Sequence, residues 1–295
     1  MTTQERLLRS PSMQKKYDRC HLLGQLQYID RWEPREAERS LPPRLRGNAF
    51  ALAAEITHKT IQANERDLLN QTSFVCHIVD EAIGRFDRQF QYCVDQGISF
   101  RENTDAISRA ELRRVIPLYI RHTPVLSWKK VVAVETPIKA YSCRPDLGGV
   151  NHLDFACVGD IKYKSKLETE YESSTIEEFH QDGQFLQYND AWRHDQALSQ
   201  DVPVYSILLL VVGAPFRIKS VEWLYTPERL QLWRKGAEDL SATINNIEAG
   251  LVLPRPSLTH RDNFGWCPMK KACLELNLDP ELMKRDYVQL KELPD

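Results

Sequence analysis

Asp160 and Lys162 stand two residues apart in LDFACVGDIKYKS, whose β-branched and aromatic alternation predicts a strand with both side chains on one face. Asp146 lies fourteen positions before Asp160, across GGVNH, whose Gly and Asn residues predict a hairpin turn that returns Asp146 beside the pair. Two carboxylates and an ammonium at a strand end suit metal-assisted hydrolysis of a phosphodiester. Carboxylate oxygens hold Mg²⁺, which keeps several waters and accepts a phosphate oxygen as a further ligand. The ion acidifies a bound water and offsets charge on the phosphate, and a lysine orients that water or meets the developing charge. A lone D-x-K arises about once by chance in a chain of this length, and edge strands carry Asp and Lys for solubility, so the surrounding pattern has to carry the argument.

That pattern includes Glu135, expected on the strand before the turn, where an exposed strand Glu is an equally good reading. It also includes Gln184 and Tyr188, four apart and so stacked on one helix face, with Trp192 continuing the stripe. Trp192 reads as core. The polar tips of Gln184 and Tyr188 either serve the same core or reach the carboxylates and a phosphate.

The elements that must position these residues follow from periodicity. From Ser10 to about Ile120 the apolar spacing is helical, in LGQLQYI, FALAAEITHKTI and FVCHIVDEAIGRFDRQF, with LPP at Leu41 to Pro43 as punctuation. Beyond Trp128 the period becomes that of strands. A capping box at Ser174 to Glu178 predicts one helix carrying FHQDGQFLQYNDAW and ending near Leu198. VPVYSILLLVV and FRIKSVEWLY predict two further strands, and Thr226-Pro227-Glu228 starts a helix to about Glu248. The core order, strand, strand, strand, helix, strand, strand, helix, gives an α/β architecture.

Length and composition agree with a soluble globular protein of one large or two modest domains: 295 residues, 42% hydrophobic and 27% charged. A net charge of -2 gives no global attraction to polyanions, so any such site is local. The longest apolar run, Val204 to Val212, is far short of the roughly 20 residues of a membrane span. No secretory signal is legible at the N-terminus and seven scattered cysteines argue against a disulfide framework, so a cytoplasmic location without membrane contact is expected.

The ordered set RPD at Arg144 to Asp146, DIK at Asp160 to Lys162 and Q-x-x-x-Y at Gln184 to Tyr188 resembles the PD-(D/E)XK nuclease superfamily. More closely, it resembles the RecB-type exonuclease branch that includes the mitochondrial genome maintenance exonuclease and the CRISPR adaptation exonucleases. The resemblance covers roughly 131–188. It implies a restriction-endonuclease-like mixed central sheet flanked by helices over 128–250, an N-terminal helical subdomain over 1–127 and a C-terminal segment, 251–295, packing back on the N-terminal helices. It further implies Asp146, Asp160 and the backbone carbonyl of Ile161 as ligands for Mg²⁺ or Mn²⁺, Lys162 as catalytic lysine, Glu135 as an upstream carboxylate, and Gln184 and Tyr188 as DNA-positioning groups. The activity implied is hydrolysis of DNA from free ends, single-stranded or otherwise, in recombination, repair or phage DNA processing. An endonuclease of the same fold and a catalytically impaired DNA-binding subunit are the competing readings.

Two departures stand out. Relatives place a metal-binding His four residues after a Gly; after Gly47 that position is Ala51, and His58, on roughly the same helical face, is the candidate replacement. Relatives with an iron-sulfur cluster pair a Cys like Cys20 with C-x2-C-x5-C; Cys267 and Cys273 are present, but Phe264 stands where a fourth Cys is needed, and His260 is a weak substitute. DNA contacts are expected from Arg109, Arg113 and Arg114, from Lys129 and Lys130, and from Lys164 and Lys166. With one thiolate missing, an iron-sulfur cluster is not expected and the purified protein should be colourless; a brown preparation would overturn that expectation.

Overall fold

The computed structural model describes residues 8–35, 41–122, 128–138, 141–199, 201–254, 261–262, 265–276, 278–290 and 293–295. Phe264 and His260 lie outside them. The chain opens with α1 (Pro11–Arg19), whose N-cap Ser10 accepts the Met13 N–H and whose first residue is proline. A short α2 (His21–Gly24) continues into a π-turn over Gln25–Ile29. Next comes β1 (Trp32–Pro34), in a region whose spacing had predicted helix alone. Its partner is distant in sequence, and short-range periodicity carries no trace of it.

Three long helices follow: α3 (Leu41–Gln62), α4 (Thr72–Asp95) and α5 (Thr104–His122). They bury Leu45, Phe50, Ile78, Phe86, Leu112 and Ile116 in one cluster, and LPP begins α3 rather than ending an earlier helix. This layer lies on one face of a five-stranded sheet, meeting it through Ile161, Tyr163, Val211 and Ile218. The sheet consists of β2 (Trp128–Val134), β3 (Leu147–Asn151), β4 (Ala156–Lys166), β5 (Val204–Ala214) and β6 (Arg217–Leu224), in that spatial order. Only β4 and β5 run parallel. β5 is an interior strand, between β4 and β6, and buried on both faces, which is why VYSILLLVV is continuously apolar.

The crossover between the two parallel strands carries α6 (Glu172–Gln181) and α7 (Gly183–Asp195). These are two helices where one was expected. Asp182 leaves the helical region and accepts the Gln184 N–H at 3.0 Å, so Asp-Gly ends one helix and caps the next. α7 and α8 (Pro227–Glu248), capped by Thr226, cover the other sheet face through Phe185, Leu186, Leu208, Leu210, Tyr225 and Leu230. Two-residue strands β7 (Arg261–Asp262) and β8 (Gly265–Trp266), helices α9 (Lys270–Leu274) and α10 (Pro280–Asp286), and β9 (Tyr287–Gln289) complete the chain. β9 pairs antiparallel with β1. Cys20, Cys267 and Cys273 border one cluster with Leu22, Met269 and Tyr287. Burial pushes the Cys273 thiol up to about 11, with Cys267 and Cys20 adding to it. No helix of the described residues is long and apolar enough to cross a membrane.

The segment LGGVN is itself strand β3, and the turn falls later, where the Asn151 side chain accepts the N–H groups of Leu153 and Phe155, each at 3.0 Å. The glycines serve close approach instead. A Cβ on Gly149 would lie 2.0 Å from the Lys130 carbonyl oxygen, a backbone atom that cannot swing away. Gly149→Ala should therefore cost about 2 kcal/mol or more in urea denaturation. Gly236→Ala, in α8 with nothing within 4 Å of the added methyl, should instead stabilise by roughly 0.5–1 kcal/mol.

Candidate active site

The pairing of β3 with β4 ends at Leu147 opposite Gly159. One residue beyond that end, Asp146 Oδ2 accepts the backbone N–H of Ile161 at 2.6 Å. A strand residue directs its N–H and C=O to the same neighbour, so the Ile161 carbonyl also faces the edge that β3 has vacated. Asp160, 2% exposed, and Lys162 share one face of β4, with Lys162 Nζ 2.5 Å from Asp160 Oδ2. That contact is a buried ion pair. Asp160 Oδ1 accepts from Gln184 Nε2 at 3.2 Å, and the same amide donates to the Tyr188 hydroxyl at 2.8 Å. Gln184 and Tyr188 thus stand over the carboxylates, while Trp192 is core, its ring against Gly148.

Glu135 sits just past the end of β2 rather than on it, in the left-handed region with φ 50°. A non-glycine residue holds that conformation only when its surroundings impose it. Here its N–H donates to the Asp146 carbonyl at 3.0 Å and its carboxylate meets Arg144 Nε at 2.7 Å. The kink turns the side chain into a cleft with room for about one water, lined also by Asp146, Ile161 and the α3 residues Ala51, Ala54, Glu55 and His58. Glu55 was missed in the sequence. Its signal was present, since Ala51, Ala54, Glu55 and His58 fall at i, i+3, i+4 and i+7 on one helix face. Arg144, 63% exposed beside this group, was likewise passed over as part of a motif.

The electrostatics follow from crowding. Burial pushes the Asp146 carboxyl well above the usual range, and the charges of Asp160 and Glu135 push it further, against Lys162 and the Ile161 N–H. Burial also raises Glu135; Arg144 opposes this and Glu55 and Asp160 reinforce it. For Lys162 burial favours the neutral amine, but the charges of Asp160 and Asp146 overrule it and hold the ammonium more firmly than in water. His58 is fully buried, which lowers it to about 3, and it therefore stays neutral. Its Nε2 is 2.8 Å from the Tyr119 hydroxyl, and its Nδ1 is buried without a hydrogen bond.

A cation suits this donor set. Carboxylates that repel one another and a neutral imidazole with an orphaned nitrogen are both relieved by a cation. Among the described residues no three His, Cys, Asp or Glu side chains form a preassembled cage. Mg²⁺ does not require one, since one or two carboxylates, waters and a substrate phosphate complete its shell.

Of the cations expected to hold a polyanion, Lys164 and Lys166 continue the Lys162 face of β4. Lys164 lies over the Phe179 ring at 5.8 Å, and Lys166 is 3.2 Å from Glu168. Arg109 is held by Asp87 at 2.8 Å and Asp105 at 3.0 Å, and Lys129 by Asp154 at 2.5 Å. Arg113 and Arg114 on α5 and Lys130 on β2 are exposed. Lys15 of α1, absent from the expected set, pairs with Asp182.

The profile of the PD-(D/E)XK nuclease superfamily matches residues 9–274 of the chain. Among solved structures, the chain is similar to the crystal structure of a "Putative exonuclease" from Eubacterium rectale, at 13% identity and a TM-score of 0.46, over 90% of this chain and 88% of that one. No curated protein matches.

A carboxyl raised in the fold binds a proton there that the unfolded chain, with a pKa of about 4, has already released. Asp146 therefore favours folding at low pH, and this contribution is lost as pH rises through its folded value. In EDTA above neutral pH, Asp146→Asn should raise stability and flatten its dependence on pH, measured by thermal melts at several pH values.

Proposed function

The chain belongs to the PD-(D/E)XK nuclease superfamily, and on that premise we propose that it is a DNA exonuclease, dependent on Mg²⁺ or Mn²⁺, of the RecB type. The observation that carries the reading is the meeting of Asp146, Asp160 and Lys162 at the open end of the β3–β4 pair, with Gln184 tied to Asp160. Asp146, Asp160 and the Ile161 carbonyl would hold the cation, with Glu135, Glu55 and His58 close by, and bound there it would supply an acidified water and charge neutralisation on the phosphate.

The chain's own groups do the rest. Gln184 fixes one oxygen of Asp160 and so decides which way the other faces. Lys162, with three donors on its ammonium, keeps Asp160 with one and presents the others to the attacking water or a non-bridging phosphate oxygen. Its raised affinity for the proton makes it a cation at neutral pH, a source of electrostatic stabilisation rather than a base. Burial and the charges of Asp160 and Asp146 hold Tyr188 well above its ordinary value, so its hydroxyl stays protonated. Backbone contacts by Lys164 and Lys166 would bind DNA without reading sequence, and Lys166 must exchange Glu168 for a phosphate. The role is assigned to recombination, repair or phage DNA processing.

The test compares wild type with Lys162→Ala on end-labelled linear single- and double-stranded DNA and on a closed circle, with Mg²⁺, Mn²⁺ or EDTA. The expected result is metal-dependent loss of linear DNA, survival of the circle and a fall in rate of at least about a hundredfold in the variant. Cutting of the circle would make the protein an endonuclease. DNA binding without cutting under any condition would make it a binding subunit.

A further inference from the structure

Two ion pairs of the same build rim the cleft beside Asp146. Glu135 meets Arg144 Nε at 2.7 Å, and Glu55 meets Lys59, one turn further along α3, at 2.6 Å. In each pair the acid is sunk and the base stands out: 12% of the Glu135 side chain is exposed against 63% of Arg144, and 23% of Glu55 against 55% of Lys59. Both carboxylates line the cleft and neither cation does. The placement is set by the fold. Glu55, Lys59 and Gln62 fall at i, i+4 and i+7 of α3, and Gln62 donates to the Val132 carbonyl of β2 at 2.7 Å, which pins that stripe along the edge of the sheet. Arg144 lies two residues before Asp146, on the stretch leading into β3.

The two faces of β4 divide the labour. Asp160 and Lys162 project toward α7, where Gln184 meets Asp160, while Ile161 between them projects into the α3 cleft. Lys162 therefore serves one side of the carboxylates, and Arg144 and Lys59 stand on the other. A pair whose cationic partner lies mostly in water is weakly held. A hard divalent ion binds carboxylate oxygens in preference to such a partner, through its double charge and short range. Once Glu135 and Glu55 turn inward to an ion of that kind, Arg144 and Lys59 keep their places on the rim but lose their counter-charges. An arginine fork then fits two oxygens of a phosphate, and an ammonium meets one as a point charge. Arg85 also acts on Glu135, from α4, but it is more deeply set and its Nη2 holds Asp295 at 2.9 Å.

We propose that Arg144 and Lys59 form a phosphate clamp that opens to DNA only when a cation occupies the cleft, each side chain being released as its carboxylate turns to the metal. The ligand is the sugar-phosphate backbone next to the scissile bond, on the side of the site away from Lys162. The clamp presupposes the nuclease reading and adds a coupling to it: by linkage, cation and strand each tighten the other's hold through these two side chains.

Fluorescence anisotropy of a labelled oligonucleotide, single- and double-stranded, tests this on the full chain, with Ca²⁺ in place of Mg²⁺ to keep the strand uncut and with EDTA as the comparison. With Ca²⁺, Arg144→Gln and Lys59→Gln should each weaken DNA binding about tenfold and lower the salt slope of the affinity by about 1. In EDTA each should change the affinity less than about twofold. Arg144→Lys, which keeps the charge and loses the fork, should recover part of the loss. Calorimetric titration with Ca²⁺ alone should show uptake by Arg144→Gln at least as tight as by wild type, because Glu135 has lost a competitor. Equal losses of DNA affinity with and without Ca²⁺ would make the two side chains ordinary backbone contacts, and weaker Ca²⁺ uptake by Arg144→Gln would make Arg144 a prop for Glu135; either result overturns the proposal. A wild type that takes up Ca²⁺ and cuts DNA with Mg²⁺, while neither substitution affects DNA binding, overturns the clamp and leaves the nuclease reading standing. A wild type that takes up no cation and cuts nothing overturns both.

Discussion

Everything near the candidate active site answers to one constraint: several carboxylates must be held close together and out of water before any cation arrives to separate their charges. Each is restrained by a different device. Asp146 takes a backbone N–H that β3 no longer uses, Asp160 takes an amide from α7 and an ammonium from its own strand, and Glu135 is turned inward by a left-handed residue and held by Arg144. The devices converge at the open end of the β3–β4 pair. The order of the elements is therefore the means by which repulsion is contained.

Much of this was legible in the sequence. The strand carrying Asp160 and Lys162, the helix face carrying Gln184 and Tyr188, and the buried apolar strand β5 each follow from local side-chain pattern. Helix starts at Ser10 and Thr226 were readable for the same reason, because a cap and the N–H it satisfies are neighbours in the chain. What escaped depended on partners far away in sequence. The β1–β9 pair joins the two ends of the chain, Gly148 and Gly149 are small because Trp192 and Lys130 come close, and Glu135 leaves its strand because Asp146 receives its N–H. Glycines near an Asn looked like a turn; their service to packing appears only once the neighbours are known. Glu55 is the instructive omission, since its helical spacing was in plain view but its cleft was not.

The positive charge around the catalytic strand is largely spoken for. Lys166 leans on Glu168, Lys15 on Asp182, and Arg217 and Lys219 both on Glu172. The Lys166–Glu168 pair, exposed on both sides, contributes little to folding, about 0–1 kcal/mol, and exchanges readily. A phosphate backbone entering this region would have to displace carboxylates from cations already oriented toward them, and its affinity would be set by competition between two anions, with the acidic crossover as the resident one.

The parallel pairing of β4 with β5 has a consequence for how the molecule is made. Its two strands are joined through the whole crossover of α6 and α7, so their meeting closes a long loop, whereas β3 and β4 meet across a tight turn. Early in synthesis the strand bearing Asp160 and Lys162 has one hydrogen-bonded neighbour and one bare edge. The second neighbour, β5, is also the most apolar segment of the chain and emerges from the ribosome last of the two. Until it docks, the nascent protein exposes the bare edge of a lysine-bearing strand and an unpaired apolar one, and the interval between them is the period in which the chain is most open to chaperone capture or aggregation.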